Sequence, residues 1–176
     1  MKLLAFAASN SSRSINKQLV TYASSLLPEF TTEILDINDY EMPLFSVDRE
    51  DRDGHPPQAR QFLDKIAAAD ALLISFAEHN HSYTAAWKNL YDWCSRVEAK
   101  VYQNKPLVLL STSPGGRGGA NVLASAEMSV PRFGGQVTAS LSIPDFNNNF
   151  DAVSGRLTNR ELDAKLKTAV RTLLDH

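Results

Sequence analysis

The sequence predicts an α/β sandwich built on a mainly parallel sheet, and three observations carry that prediction. First, five short apolar or β-branched runs, at residues 3–8, 31–37, 71–76, 106–110 and 136–141, alternate with five segments of helical apolar spacing. Strands and helices in strict alternation build a parallel sheet covered by helices. Second, the first, third and fourth runs each end in a polar loop, and ligands of such sheets sit beyond the carboxyl ends of the strands. Third, 176 residues of ordinary composition suit one domain with a full core.

Residues 3–8, Leu-Leu-Ala-Phe-Ala-Ala, read as a buried strand. The turn that follows, Ala8-Ser9-Asn10-Ser11-Ser12-Arg13-Ser14-Ile15-Asn16, opens a helix expected over 15–27. The first N–H groups of a helix lack intrahelical partners and the dipole is positive there, so a hydroxyl-rich turn at that point suits an anion. We read it as a phosphate cradle for a nucleotide or flavin; a plain N-cap is the alternative. The turn has no Gly-Lys-[Ser/Thr] and no glycine, so it is neither a P-loop nor a dinucleotide fingerprint.

A second strand is expected over 31–37. Residues 36–57, with Pro43, Gly54, Pro56 and Pro57, read as a long loop. Helix resumes near Pro57, where Ala59, Phe62, Leu63, Ile66 and Ala67 share a face. The buried strand 71–76 ends in Ala77-Glu78-His79-Asn80-His81-Ser82. A helix over 84–97 follows, with Trp87, Leu90, Tyr91 and Cys94 at helical spacing. The strand 106–110 leads to Ser111-Thr112-Ser113-Pro114-Gly115-Gly116-Arg117-Gly118-Gly119. Helix 120–131, strand 136–141, a second long loop 143–155 and a final helix 159–174 complete the chain.

Composition excludes other classes. A formal charge of −2 argues against nucleic-acid binding by bulk charge. No apolar run approaches a membrane span, and the N-terminal apolar stretch is too short for a signal peptide. One cysteine precludes an internal disulfide, which fits the reducing cytoplasm. His55, His79 and His81 match no zinc spacing. Cys94, Trp87 and Trp93 read as packing residues. Residues 49–53 mix both signs and read as a solvated loop. Residues 146–150, Phe-Asn-Asn-Asn-Phe, read as a surface turn or as a lid on the substrate side.

At its three polar loops the sequence resembles the NADPH-dependent FMN reductase family, over most of the chain and with the elements in the same order. The first motif, Gly-Ser-x-x-x-x-Ser-x-Asn, meets Ala8-Ser9 and Ser14-Ile15-Asn16. The second, Pro-Glu-Tyr-Asn-x-Ser, meets Ala77-Glu78-His79-Asn80-His81-Ser82, followed on the helix by Lys88-Asn89 and Asp92-Trp93. The third, Ser-Pro-Gly with glycines after it, meets Ser113-Pro114-Gly115-Gly116-Arg117-Gly118-Gly119.

The resemblance implies a flavodoxin-like three-layer sandwich, one domain over 1–176, with a five-stranded parallel sheet in the order 2-1-3-4-5. It implies FMN as cofactor and NADPH or NADH as co-substrate. The acceptor would be a small molecule: a quinone, azo compound, metal oxyanion or free flavin. The chain would form a homodimer or homotetramer. Ser9, Ser11, Arg13, Ser14, Ile15 and Asn16 would hold the phosphate, with backbone donors at Ser14 and Ile15. Ala77, Glu78, His79 and Asn80 would run along the isoalloxazine edge, Glu78 through its backbone rather than as a general acid. Ser113, Pro114, Gly115 and Gly116 would allow close backbone approach. The flavin carries the redox chemistry, so no catalytic side chain is implied.

Four positions depart from the family pattern. Ala8 replaces glycine, Ser11 stands where many relatives have arginine, Ala77 replaces proline and His79 replaces tyrosine. They keep two other readings open: a flavin-binding redox partner without its own nicotinamide turnover, and a flavin-free interaction protein.

Overall fold

The computed structural model describes residues 1–176. Its sheet comprises β1 (Lys2–Ala8), β2 (Thr31–Leu35), β3 (Ala71–Phe76), β4 (Pro106–Thr112) and β5 (Gln136–Ile143). The strand order is 2-1-3-4-5, and every pairing in this sheet is parallel. The helices are α1 (Ile15–Ser25), α2 (Val47–Asp53), α3 (Pro57–Ala68), α4 (Ala85–Val97), α5 (Ala120–Ser129) and α6 (Arg160–Arg171).

Side chains alternate across the strands, so each strand feeds two cores. Leu4, Phe6, Leu72, Ile74, Phe76, Leu107 and Leu109 face α3, α4 and α5. Leu3, Ala5, Leu73, Val108 and Leu110 face α1 and α6. Strands buried on both sides carry continuous apolar runs, which is why they stand out in the sequence. Trp87 is fully buried against Phe6, 5.4 Å between ring centres, and Trp93 is equally buried. Cys94 is buried too, and burial pushes its thiol up to about 12.

Register fixes the site. Ala8 pairs with Phe76, Phe76 with Ser111, and Thr112 with Ile143. The carboxyl ends of β1, β3, β4 and β5 therefore lie at one level, and their loops open on one edge.

The structure corrects three expectations. Residues 36–57 are not one long loop. They hold a 3₁₀ turn, Ile37–Tyr40, capped by Asp36, and α2, capped by Ser46. The second strand consequently stops at Leu35. Residues 143–155 contain a helical turn, Phe146–Asn149, and part of a two-strand hairpin, Phe150–Asp151 with Arg156–Leu157. Asn147 and Asn148 are exposed on this turn, but Phe146 and Phe150 are buried and form no lid. Their rings stack 4.6 Å apart within the α1/α6 core. Finally, α1 ends at Ser25, and α6 passes into a 3₁₀ turn, Thr172–Asp175.

Candidate functional site

The first loop joins β1 to α1 through a chain of serine hydroxyls. Ser9 Oγ accepts from Ser11 N–H at 3.2 Å, Ser11 Oγ from Arg13 N–H at 3.3 Å, and Ser14 Oγ from Lys17 N–H at 3.2 Å. Ser14 is thus the N-cap of α1. The Ser14 N–H, expected as a backbone donor to the phosphate, instead donates to the Ser11 carbonyl at 3.2 Å, whereas the Ile15 and Asn16 N–H groups find no acceptor within the chain. No acidic residue occupies the first turn of α1, so no carboxylate competes for its positive end. Ser11, Ser12 and Arg13 are exposed around this turn, whereas Ser9 and Ser14 are buried.

Asn16 requires a correction. Its side chain is only 2 % exposed and points into the protein, not toward a phosphate. Oδ1 accepts from Ser75 Oγ at 2.7 Å and from Thr112 N–H at 3.1 Å. Nδ2 donates to the Thr112 carbonyl at 3.1 Å. The amide joins the start of α1 to β3 and β4, and the backbone N–H is left for an anion.

The second loop is a tight hairpin in which Glu78 pairs with Tyr83 and His79 with Ser82. Asn80 and His81 turn it with φ of 50° and 63°. Two positive φ values at the centre of a two-residue turn match the right-handed twist of the strands. Glu78 Oε2 accepts from Val122 N–H at 2.9 Å, so its side chain caps the first turn of α5. His79 is exposed. Thr84 closes the hairpin; its Oγ1 donates to the Ala8 carbonyl at 3.0 Å and accepts from Trp87 N–H.

The third loop is held from the far side. Ser113 O accepts from Phe146 N–H at 3.1 Å, and Gly115 O from Asp145 N–H at 3.0 Å. Its glycines divide into two kinds. At Gly118, φ is +58° and a Cβ would run into Ser142 Oγ and lie 2.8 Å from the Ile143 backbone, so the fold demands glycine there. A Cβ on Gly115 would meet nothing within 4 Å, and one on Gly116 only the Asp145 carboxylate at 3.7 Å. Those two leave bare backbone toward open space.

Arg117 Nη2 donates to Asn121 Oδ1 at 2.9 Å, and Asn121 Nδ2 lies 2.7 Å from His81 Nδ1. This bridge between the second and third loops has no signature in the sequence, since nothing in the spacing of residues 81, 117 and 121 signals it. A cavity of about 290 Å³ lies beside the first loop, among Asn10, Asn38, Tyr40, Met42, Asn89 and Leu90. None of its lining residues belongs to the second or third loop.

The donor set fits a flavin mononucleotide. Open N–H groups and hydroxyls lie at one end for a phosphate, and a hairpin at the end of β3 and bare backbone at the end of β4 offer an edge for a flat ring. A doubly wound sheet with this edge defines a flavodoxin-like nucleotide-binding protein. The chain belongs to the NADPH-dependent FMN reductase family, which it matches over residues 1–147. It is 35% identical over 116 residues to an NAD(P)H-dependent FMN reductase of Pseudomonas aeruginosa, an alignment covering 65% of this chain and 61% of the relative. It is 39% identical over 109 residues to a 2-hydroxy-1,4-benzoquinone reductase of a Burkholderia species, covering 61% of this chain and 57% of the relative. The chain therefore spans about three fifths of the length of these relatives. Its fold is similar to that of FerB, a flavoenzyme NAD(P)H:acceptor oxidoreductase from Paracoccus denitrificans. The TM-score is 0.78 at 24% identity, over 99% of this chain and 96% of that one.

Proposed function

We propose that this protein is an FMN-dependent NAD(P)H oxidoreductase that reduces a small acceptor, with quinones as the leading class. The observation that carries the reading is the alignment of three loops on one edge, one with open N–H groups and two with bare or hairpin backbone. When bound there, FMN supplies the redox step between a reduced nicotinamide and the acceptor. This chain's residues bind and orient. Ser9, Ser11, Arg13 and Ser14, with the Ile15 and Asn16 N–H groups, take the phosphate. Residues 77–80 and 113–116 present backbone to the ring. No side chain is assigned a proton-transfer role.

Quinones lead because relatives carry the names 2-hydroxy-1,4-benzoquinone reductase and quinone reductase. An NADPH azoreductase among the relatives keeps azo compounds as the second class. A cytoplasmic place of action is part of this reading, and the lone, buried Cys94 fits a reducing compartment. A homodimer or homotetramer remains part of this reading, on the family resemblance.

The test is turnover. NADPH or NADH oxidation with a benzoquinone should require both protein and added FMN. Flavin binding without nicotinamide oxidation would favour the redox-partner reading instead.

A further inference from the structure

We infer that Asn16 is a positioning residue that ties the phosphate end of the flavin site to the loop beneath the ring. The inference rests on the flavin reading above. β3 stops pairing with β4 at Phe76–Ser111, one residue short of Thr112. Beyond that point the Asn16 amide takes over, accepting from Thr112 N–H and donating to Thr112 C=O, as a neighbouring strand would. Its remaining acceptor site is filled by Ser75 Oγ, which is itself fully buried. Both ends of this tie are rigid. Thr112 Oγ1 donates to the Ile143 carbonyl at 2.7 Å, and Asn16 sits in the first turn of a helix capped by Ser14.

The consequence is geometric. The Asn16 backbone N–H faces the phosphate position, while its side chain holds the residue immediately before Ser113–Gly116. The side chain therefore fixes the third loop under the ring, for a flavin with or without a phosphate. A buried amide that satisfies three polar groups is costly to remove, because its partners are left unpaired. A smaller residue at 16 would free Thr112 and let the third loop drift from the ring. A phosphate ligand would act differently, since its loss would be felt only by a flavin that carries a phosphate.

The experiment compares FMN with riboflavin, which lacks the phosphate, in wild type, Asn16→Ala and Ser75→Ala. Affinities come from quenching of flavin fluorescence, and ring environment from the visible spectrum and midpoint potential of bound FMN. Asn16→Ala should weaken both flavins by the same factor, about tenfold, and alter the spectrum and potential of bound FMN. Ser75→Ala removes one contact far from any phosphate and should do the same to a smaller degree. It also carries the test if Asn16→Ala does not fold. Loss of FMN affinity with riboflavin unchanged in Asn16→Ala, or flavin affinities and spectra unchanged in both variants, would overturn the inference. Wild-type protein that binds neither flavin would overturn the flavin reading itself, and this inference with it.

Discussion

At the scale of single residues, the glycines of the third loop separate fold from function. Gly118→Ala meets backbone and a positive φ, and should destabilise the protein by about 1–3 kcal/mol. Gly115→Ala meets open space, and should change stability by no more than about 0.5 kcal/mol while weakening FMN binding. Thermal melts and a flavin titration of the two variants check the contrast. Ser14 caps α1 and is proposed to hold the phosphate, so Ser14→Ala should cost about 1 kcal/mol as a lost cap and also reduce FMN affinity. Cys94 has neither role: its raised thiol should resist alkylation in the native state and react once the chain is unfolded, which a labelling time course would read. The polar loops that make up the candidate site were legible in the sequence, because serines and glycines at strand ends announce themselves. Asn16 was legible as a polar residue at a helix start and, through the family motif, as a phosphate contact, but not as a tie to β4. Whether its amide faces solvent or strand depends on β4, which arrives 96 residues later.

At the scale of elements, strands and core helices were readable and the peripheral pieces were not. β1, β3 and β4 carry apolar runs because both faces are buried, and α4 carries an apolar stripe because one face is. Nothing on α2 is buried, so it has no period to read. It is held by its Ser46 cap and by Glu50, which pairs with Arg96 of α4 at 2.9 Å and with His55 at 2.8 Å. The 3₁₀ turn after β2 is fixed in the same way, by Asp36. Its carboxylate accepts from Lys17 of α1 and from Asn38 N–H, and the Lys17 contact leads in holding it below the usual carboxylate range. A carboxyl depressed in the folded state stabilises above its unfolded value and loses that contribution as pH falls through the folded one. Wild type should therefore melt higher than Asp36→Asn near neutrality, and the gap should close as pH drops below about 4. A gap that stays constant down to pH 2 would remove the ion pair from the account.

At the scale of the whole molecule, three loops separated by about seventy and thirty-five residues reach one edge because four strands end at one level. The alternation of elements made that edge predictable. The ties that hold it together were not predictable, because they are long-range bonds between groups with no periodic signature: Thr84 to Ala8, Glu78 to Val122, Asn16 to Thr112. The departures at Ala8, Ser11, Ala77 and His79 leave these ties intact, since Ala8 and Glu78 contribute through a carbonyl and a carboxylate that all four changes spare. The central claim is that this edge holds FMN and passes electrons from a nicotinamide. The most direct measurement is the visible spectrum of the purified protein titrated with FMN and then treated with NADPH without oxygen. Saturable perturbation of the flavin bands, followed by bleaching, is the result this account predicts. An FMN spectrum unperturbed at tens of micromolar protein, with no bleaching beyond that of free flavin, would contradict it.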